Sequence, residues 1–309
     1  MIRPVKIAVV GAGAMGSVYA GILGDAGNEV WALDVWEAHV EAINRDGLTI
    51  EGASGPRTVR INATCDPAEI GVCDLIVIAT KARDVETAAR HAAPLLGPDT
   101  VVLPIQNGLG SADRIASVLG EEAVAIGVAG GFGASIVGPG RVHHNGWELV
   151  RLGERNGPAT SRIHQIAQVW ADAGFRVQAY DAVDQLVWEK LIFNVTFSGT
   201  CAVLERTIGE VLDDPSAWQV ASACGTEAYA VARARGIPLD FDDPVAYARA
   251  FGAKIAGARP SMLLDVMAGR PCEIGVINGA IPPAAREVGL TAPVNEVVTA
   301  LVRAKAPGS

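Results

Sequence analysis

Charged and aromatic side chains are both scarce in this 309-residue chain. Only 19% of its residues are charged and 5% aromatic, while 50% are apolar. Positive charge is in deficit, with a formal net charge of −9. That balance is a poor basis for wrapping nucleic acid or an anionic membrane, although one local basic pocket would suffice for a small anionic substrate. The five cysteines (Cys65, Cys73, Cys201, Cys224, Cys272) are odd in number and scattered, with no C-x-x-C. They read as reduced thiols of a cytoplasmic protein rather than a disulfide framework. No Cys/His spacing suggests a metal site. No apolar run reaches membrane-spanning length, and MIRPVKIAVVGAG is too short and glycine-rich for a secretory signal.

What is abundant is small and aliphatic. Ala, Val, Gly and Leu dominate, which suits parallel strands and tightly packed helices, and the length accommodates two domains. The N-terminal part alternates short β-branched runs with amphipathic segments. VKIAVVGAG precedes the helical GSVYAGILGDAG, and NEVWALD follows. After an irregular stretch come CDLIVIATK, the helical DVETAARHAAPLLG, TVVLPIQNG and the helical SADRIASVLG. Continuous apolar strands alternating with helices predict a doubly wound parallel sheet covered on both faces. Glycine-rich residues 125–153 read as the far edge of that sheet. From about residue 181 the periodicity is helical, with helices expected near 183–204, 215–235, 243–256, 260–269, 272–289 and 293–305. The expectation is therefore a Rossmann-type α/β domain over 1–180 and an all-α domain over 181–309.

Gly11-x-Gly13-x-x-Gly16 lies between the first strand and the first helix. At such a turn the first glycine permits the tight bend, the second lets a pyrophosphate approach the backbone, and the third lets helix and strand pack closely. The free N–H groups of the helix start complement the anion. Gly11, Ala12, Gly13, Ala14, Met15 and Gly16 are thus the expected dinucleotide turn; the alternative is a glycine turn needed only for packing. Asp34 ends the second strand, where a carboxylate would hold a ribose 2′-hydroxyl and repel a 2′-phosphate. No basic residue follows at once in DVWEAHVEA, so NAD(H) is expected over NADP(H). The alternative is that Asp34 merely caps the next helix.

The segment WEKLIFNVTFSGT, residues 188–200, poses a different problem. Lys190, Asn194 and Ser198 recur every fourth residue among core-forming side chains. On a helix they share one face and span about 12 Å. If this is the first helix of the second domain, the face can look back at a nucleotide site, and a lysine there can protonate an oxygen that gains charge as a carbonyl accepts hydride. The bland alternative is a snorkelling lysine with two satisfied polar neighbours.

GAGAMGSVYAGIL, TKA at 80–82, PIQNGLG at 104–110, WEKLIFN at 188–194 and PSMLLDVMAGRPCEIGVINGAI at 260–281 occur in this order. Together, and on through TAPVN at 291–295, they resemble the ketopantoate reductase (2-dehydropantoate 2-reductase) family. The resemblance implies a Rossmann domain, a helical second domain, and reduction of a 2-oxo acid to a 2-hydroxy acid in the cleft between them, a step of pantothenate biosynthesis. By position it implies Lys190 as general acid, Glu273 as the acid that hydrogen-bonds the reacting hydroxyl, and Asn107 beside nicotinamide and lysine. It also implies Asn194 and Ser261 as substrate ligands and Lys81 near the cofactor phosphates or the lysine site. Glu273 would also keep Lys190 protonated, and Ser261 would both cap a helix and bind a carboxylate. Plain structural roles stand beside these: an N-cap for Ser261, a solvated helix-start acid for Glu273, a turn residue for Asn107.

Three positions depart from the family. Ser198 stands where the family has asparagine, CEIG replaces TEID so that Gly275 replaces an acid, and Asp34 replaces a basic residue. The first two point to a pocket altered for another 2-oxo acid; the third concerns the cofactor. The tandem His143-His144 falls in the glycine-rich region and reads as structural or exposed. The expected partner is a small 2-oxo acid, with a homodimer left open. Two rivals are a β-hydroxy-acid dehydrogenase, against which PIQNG and the SM…EI…NGA stretch speak, and a non-catalytic NAD(H) sensor, against which the intact Lys190, Asn194 and Glu273 speak.

Overall fold

The structure, a computed structural model, describes residues 4–131, 133–146, 149–306 and 308. The chain folds as two compact units, Met1–Gln106 with Gly110–Val183, and Asn107–Leu109 with Asp184–Ser309. In chain order the first unit comprises β1 (Lys6–Val10), α1 (Ala14–Asp25), β2 (Glu29–Leu33), α2 (Glu37–Asp46), β3 (Leu48–Gly52), β4 (Arg57–Val59), β5 (Asn62–Thr64) and β6 (Leu75–Ile78). It continues through α3 (Val85–Ala92), β7 (Val101–Pro104), α4 (Ser111–Leu119), β8 (Ala125–Ala129), β9 (Gly133–Gly138), β10 (Arg141–Gly146), β11 (Leu149–Glu154), α5 (Ser161–Asp172) and β12 (Arg176–Ala179).

Five strands form a wholly parallel sheet in the order β5-β2-β1-β6-β7. Its strands are apolar at successive positions because both faces are covered. Ile7 and Val9 of β1, Leu75 and Val77 of β6, and Val101 and Leu103 of β7 enter one core with α1 and α5, where Tyr19, Trp170 and Phe175 cluster. The alternate residues Ala8, Val10, Ile76, Ile78 and Val102 enter a second core with α3 and α4. Strand order reverses between β1 and β6. Their carboxyl ends therefore form the crevice where ligands bind in such sheets.

Two expectations are corrected here. Residues 125–153 do not simply extend the parallel sheet. β8 and β11 pair antiparallel and join β12, while β9 and β10 form a hairpin whose second strand runs parallel to β3. Just ahead of β8, Val124 makes a parallel bridge to Val102 of β7, the edge strand of the parallel sheet. The stretch after β2 that reads as irregular holds α2, β3, β4 and β5. Strands of three residues are too short to show a period.

The second unit comprises α6 (Val183–Leu204), α7 (Ile208–Asp213), α8 (Pro215–Ala234), α9 (Pro244–Lys254), α10 (Ser261–Met267), α11 (Ile281–Glu287) and α12 (Pro293–Lys305). α6 is its central helix. Trp188, Leu191, Ile192, Val195 and Ala202 pack into one core with residues of α8 and α12, and Phe197 and Cys201 into another with residues of α7 and α9. α7 begins with a capping box in which Thr207 and Glu210 satisfy each other's backbone N–H groups. The helix expected over 272–289 is broken into two 3₁₀ turns, Ile274–Val276 and Asn278–Ala280, followed by α11. Ile277 carries a non-helical backbone (φ −103°, ψ −97°) at the break. Among the described residues no helix is long and apolar enough to cross a membrane, and no disulfide joins any of the five cysteines.

Candidate functional site

The glycine turn occupies the carboxyl end of β1. Gly11 has φ +90°, and a Cβ there would lie 2.8 Å from the Thr80 backbone nitrogen beyond β6. A Cβ on Gly16 would lie 2.0 Å from the Gly11 carbonyl oxygen. Gly13 differs from both. It is exposed, and a Cβ on it would meet nothing within 4 Å. Two glycines are thus demanded by the protein's own packing, whereas the third leaves the backbone open outward just ahead of α1. A dinucleotide pyrophosphate fits this geometry, and the Gly13 to Met15 peptides would hold it.

The flanking residues are held by hydrogen bonds. Ala12 is buried, and its carbonyl accepts from Ser17 Oγ at 2.7 Å. Ala14 begins α1, and Met15 packs against the core below it. The half-buried Asp34 donates its N–H to the Thr64 carbonyl, and its Oδ1 accepts from the Trp36 N–H at 2.9 Å. The carboxylate therefore organises a local turn rather than capping α2, whose cap residue is Trp36. Beyond it Val35 and Trp36 are exposed. Lys81 is exposed and begins a 3₁₀ turn just past β6, with its carbonyl accepting from the Asp84 N–H. Gln106 went unnoticed in the sequence; its Nε2 donates to the Ile78 and Thr80 carbonyls and ties the ends of β6 and β7 together.

The remaining candidates belong to the second unit. Lys190 and Asn194 are half-buried on α6 and Ser198 is buried. Glu189, beside the lysine, faces elsewhere and accepts from Gln185 Nε2 and the Asp240 N–H. Asn107 follows β7 in sequence but folds with the second unit. The reason is a clasp: the Leu109 N–H donates to the Val276 carbonyl at 2.9 Å. Gly108 has φ +83°, and a Cβ there would stand only 2.2 Å from the same oxygen, so only glycine fits. Glu273 is half-buried at the start of that turn, and its carbonyl accepts from the Val276 and Ile277 N–H groups. Ser261 is exposed and is the first residue of α10; the cap position is Pro260, so the expected Ser261 cap is corrected. An ideal Cβ on Gly275 points to Arg303 Nη2, 3.5 Å away. An acid at 275 would meet a guanidinium of α12. His143 is exposed and His144 buried on β10, as alternation along a strand requires.

The chain matches the family model described as Ketopantoate reductase PanE/ApbA over residues 7–157, and the model of that family's C-terminal part over residues 182–306. A 2-dehydropantoate 2-reductase of Streptococcus pyogenes serotype M3 is 30% identical over 298 residues, 96% of each chain. A PanE/ApbA family ketopantoate reductase structure from Ralstonia eutropha JMP134 is 33% identical with a TM-score of 0.88, covering 97% of this chain and 98% of that one. The ternary structure of D-mandelate dehydrogenase with NADH and anilino(oxo)acetate is 28% identical at the same TM-score and the same coverage. With both parts of the family model matched in order across the two units, the chain belongs to the ketopantoate reductase family of nicotinamide-dependent oxidoreductases.

Proposed function

We propose that this protein reduces a small 2-oxo acid to the 2-hydroxy acid, with 2-dehydropantoate (ketopantoate) the first candidate and Lys190 the general acid. The observation that carries the reading is the clasp between Leu109 and Val276, which unites the segment after β7 with the helical unit. Through it Asn107, Lys190, Asn194, Ser198, Ser261 and Glu273 all belong to one unit, separate from the glycine turn.

A bound reduced dinucleotide supplies the hydride that the 2-carbon accepts. Lys190 Nζ donates a proton to the carbonyl oxygen as charge develops there, completing the hydroxyl. Glu273 accepts a hydrogen bond from that hydroxyl and aligns it. Asn107 offers an uncharged donor and acceptor beside the reacting carbon, and Asn194, Ser198 and Ser261 engage the rest of the substrate. Gly11 to Gly16 hold the pyrophosphate, with Lys81 near the phosphates. Asp34 favours NAD(H) over NADP(H), because its second carboxylate oxygen suits a ribose hydroxyl and its charge opposes a 2′-phosphate. The likeness to a dehydrogenase solved with NADH supports that preference.

The test is Lys190→Ala. Its kcat should fall by about 10²- to 10⁴-fold while the NADH dissociation constant stays within about twofold; turnover near the wild-type rate would remove Lys190 from the mechanism. A clear kcat/KM preference for NADPH would overturn the cofactor assignment. A second reading, a 2-oxo acid other than ketopantoate, is favoured by the buried Ser198, which is shorter than the family's asparagine. A panel of branched, aromatic and acidic 2-oxo acids decides between the two.

A further inference from the structure

A line of hydrogen bonds crosses the first unit beneath the glycine turn. The Thr49 N–H donates to the Gly140 carbonyl at 2.8 Å. The Gly140 N–H, in the turn between β9 and β10, donates to His39 Nδ1 at 3.0 Å. His39 Nε2 lies 3.1 Å from Ser17 Oγ, and Ser17 Oγ lies 2.7 Å from the Ala12 carbonyl. His39 and Ser17 are both fully buried. A backbone N–H can only donate, so Nδ1 must accept. The proton of a neutral ring then sits on Nε2 and faces Ser17, whose own proton is left for Ala12. Every link has one direction.

We propose that His39 is a positioning residue of the dinucleotide site. Acting through Ser17 it holds the Ala12 carbonyl, and with it the peptides of the turn that face the pyrophosphate, and it does so only as the neutral imidazole. This rests on the reading of Gly11 to Gly16 as a dinucleotide site. Protonation would place an Nδ1–H against the Gly140 N–H and break the line in the middle. The groups facing the ring are the Ser17 hydroxyl, the Ala12 carbonyl, the Gly140 N–H, the Trp36 indole stacked at 4.9 Å, and the Asp34 carboxylate, which is the charge acting on it. Burial holds the imidazole below its ordinary value, against the opposing pull of Asp34 and the Ala12 carbonyl. The neutral form is thus the one present at neutral pH.

The test is NADH affinity of the full chain, followed by tryptophan fluorescence from pH 8 to 5.5. NADH is used because a 2′-phosphate would titrate in the same range. Wild type should bind with a constant affinity near pH 8 that weakens as the pH falls below the ordinary imidazole range. His39→Gln keeps a donor toward Ser17 but loses the acceptor for Gly140. Ser17→Ala keeps His39 on Gly140 but removes the hydroxyl that holds the Ala12 carbonyl, and it suits a helix should His39→Gln not fold. Each variant should bind NADH about three- to tenfold more weakly at pH 8 and show a flattened pH profile, while the KM for the oxo acid is unmoved. Wild-type affinity with a wild-type profile in Ser17→Ala would overturn the proposal, as would an Nδ1–H tautomer of His39 seen by nitrogen NMR at neutral pH. Failure of wild type to bind either NADH or NADPH at any pH would instead overturn the dinucleotide reading itself, and the relay's role with it.

Discussion

Replacing each glycine of the turn by alanine separates what the fold needs from what the ligand needs. At Gly13 the backbone (φ −63°, ψ −160°) is open to any residue, and the added methyl meets no protein atom within 4 Å. Restricting the unfolded chain favours alanine by about 0.4–1 kcal/mol, while loss of a glycine at a cap position costs a comparable few tenths to 1 kcal/mol. The two nearly cancel, so Tm should move by no more than about 4 °C. At Gly16 the methyl would stand 2.0 Å from the Gly11 oxygen, a backbone atom that cannot swing aside, so helix and turn must separate. Overpacking of that kind costs about 1–3 kcal/mol or more. Gly11→Ala adds backbone strain of about 1–3 kcal/mol at φ +90°. Thermal unfolding and NADH titration are measured on all three. Gly13→Ala should melt with wild type yet bind NADH at least about tenfold more weakly, since its methyl occupies the approach to the pyrophosphate. Gly16→Ala should lose stability and binding together. Wild-type affinity in Gly13→Ala, or wild-type stability in Gly16→Ala, would refute the reasoning.

Two further outcomes follow from the second unit. Asn278 is fully buried and its Nδ2 donates to the Val195 carbonyl of α6 and to Asn295 Oδ1, so Asn278→Ala should cost about 2–4 kcal/mol in urea unfolding; a loss below about 0.5 kcal/mol would show the network to be dispensable. Gly275→Asp places a carboxylate beside Arg303 and removes a glycine, so it should raise stability by up to about 1 kcal/mol and leave kcat/KM unchanged; a collapse in kcat/KM would return position 275 to the substrate pocket.

The parallel sheet was legible in the sequence because strands covered on both faces are apolar at every position, and Ile7 to Val10 have no other way to be buried. The helical unit was legible because α6 is an unbroken run of 22 residues that packs into two cores, with Lys190, Asn194 and Ser198 recurring every fourth residue among its apolar side chains. The misses share a cause. β4 and β5 have three residues each, below the length at which alternation is visible. The hairpin of β9 and β10 takes its partners from β3, some ninety residues earlier, and no local feature announces that pairing. His39 and Ser17 were passed over because each looks like an ordinary helix residue; only the approach of Gly140, 101 residues away, gives them a directed role.

The break after Val276 has the same non-local origin, and it bears on the candidate catalytic groups. In an uninterrupted helix the Val276 carbonyl would accept from the Ala280 N–H. Here Ala280 turns to the Ile277 carbonyl, which leaves Val276 free to accept from Leu109. Glycines at 275 and 279 and the prolines at 282 and 283 weaken the helix enough for that exchange. Its consequence is chemical rather than merely architectural. The turn that begins at Glu273 and the segment that carries Asn107 are joined by the Leu109–Val276 hydrogen bond, which couples the position of one to that of the other. Two stretches more than 160 residues apart in sequence, Asn107–Leu109 and CEIGVINGA, thus act as one element within the second unit, and the cost of joining them is a helix that the amphipathic period alone would have left whole.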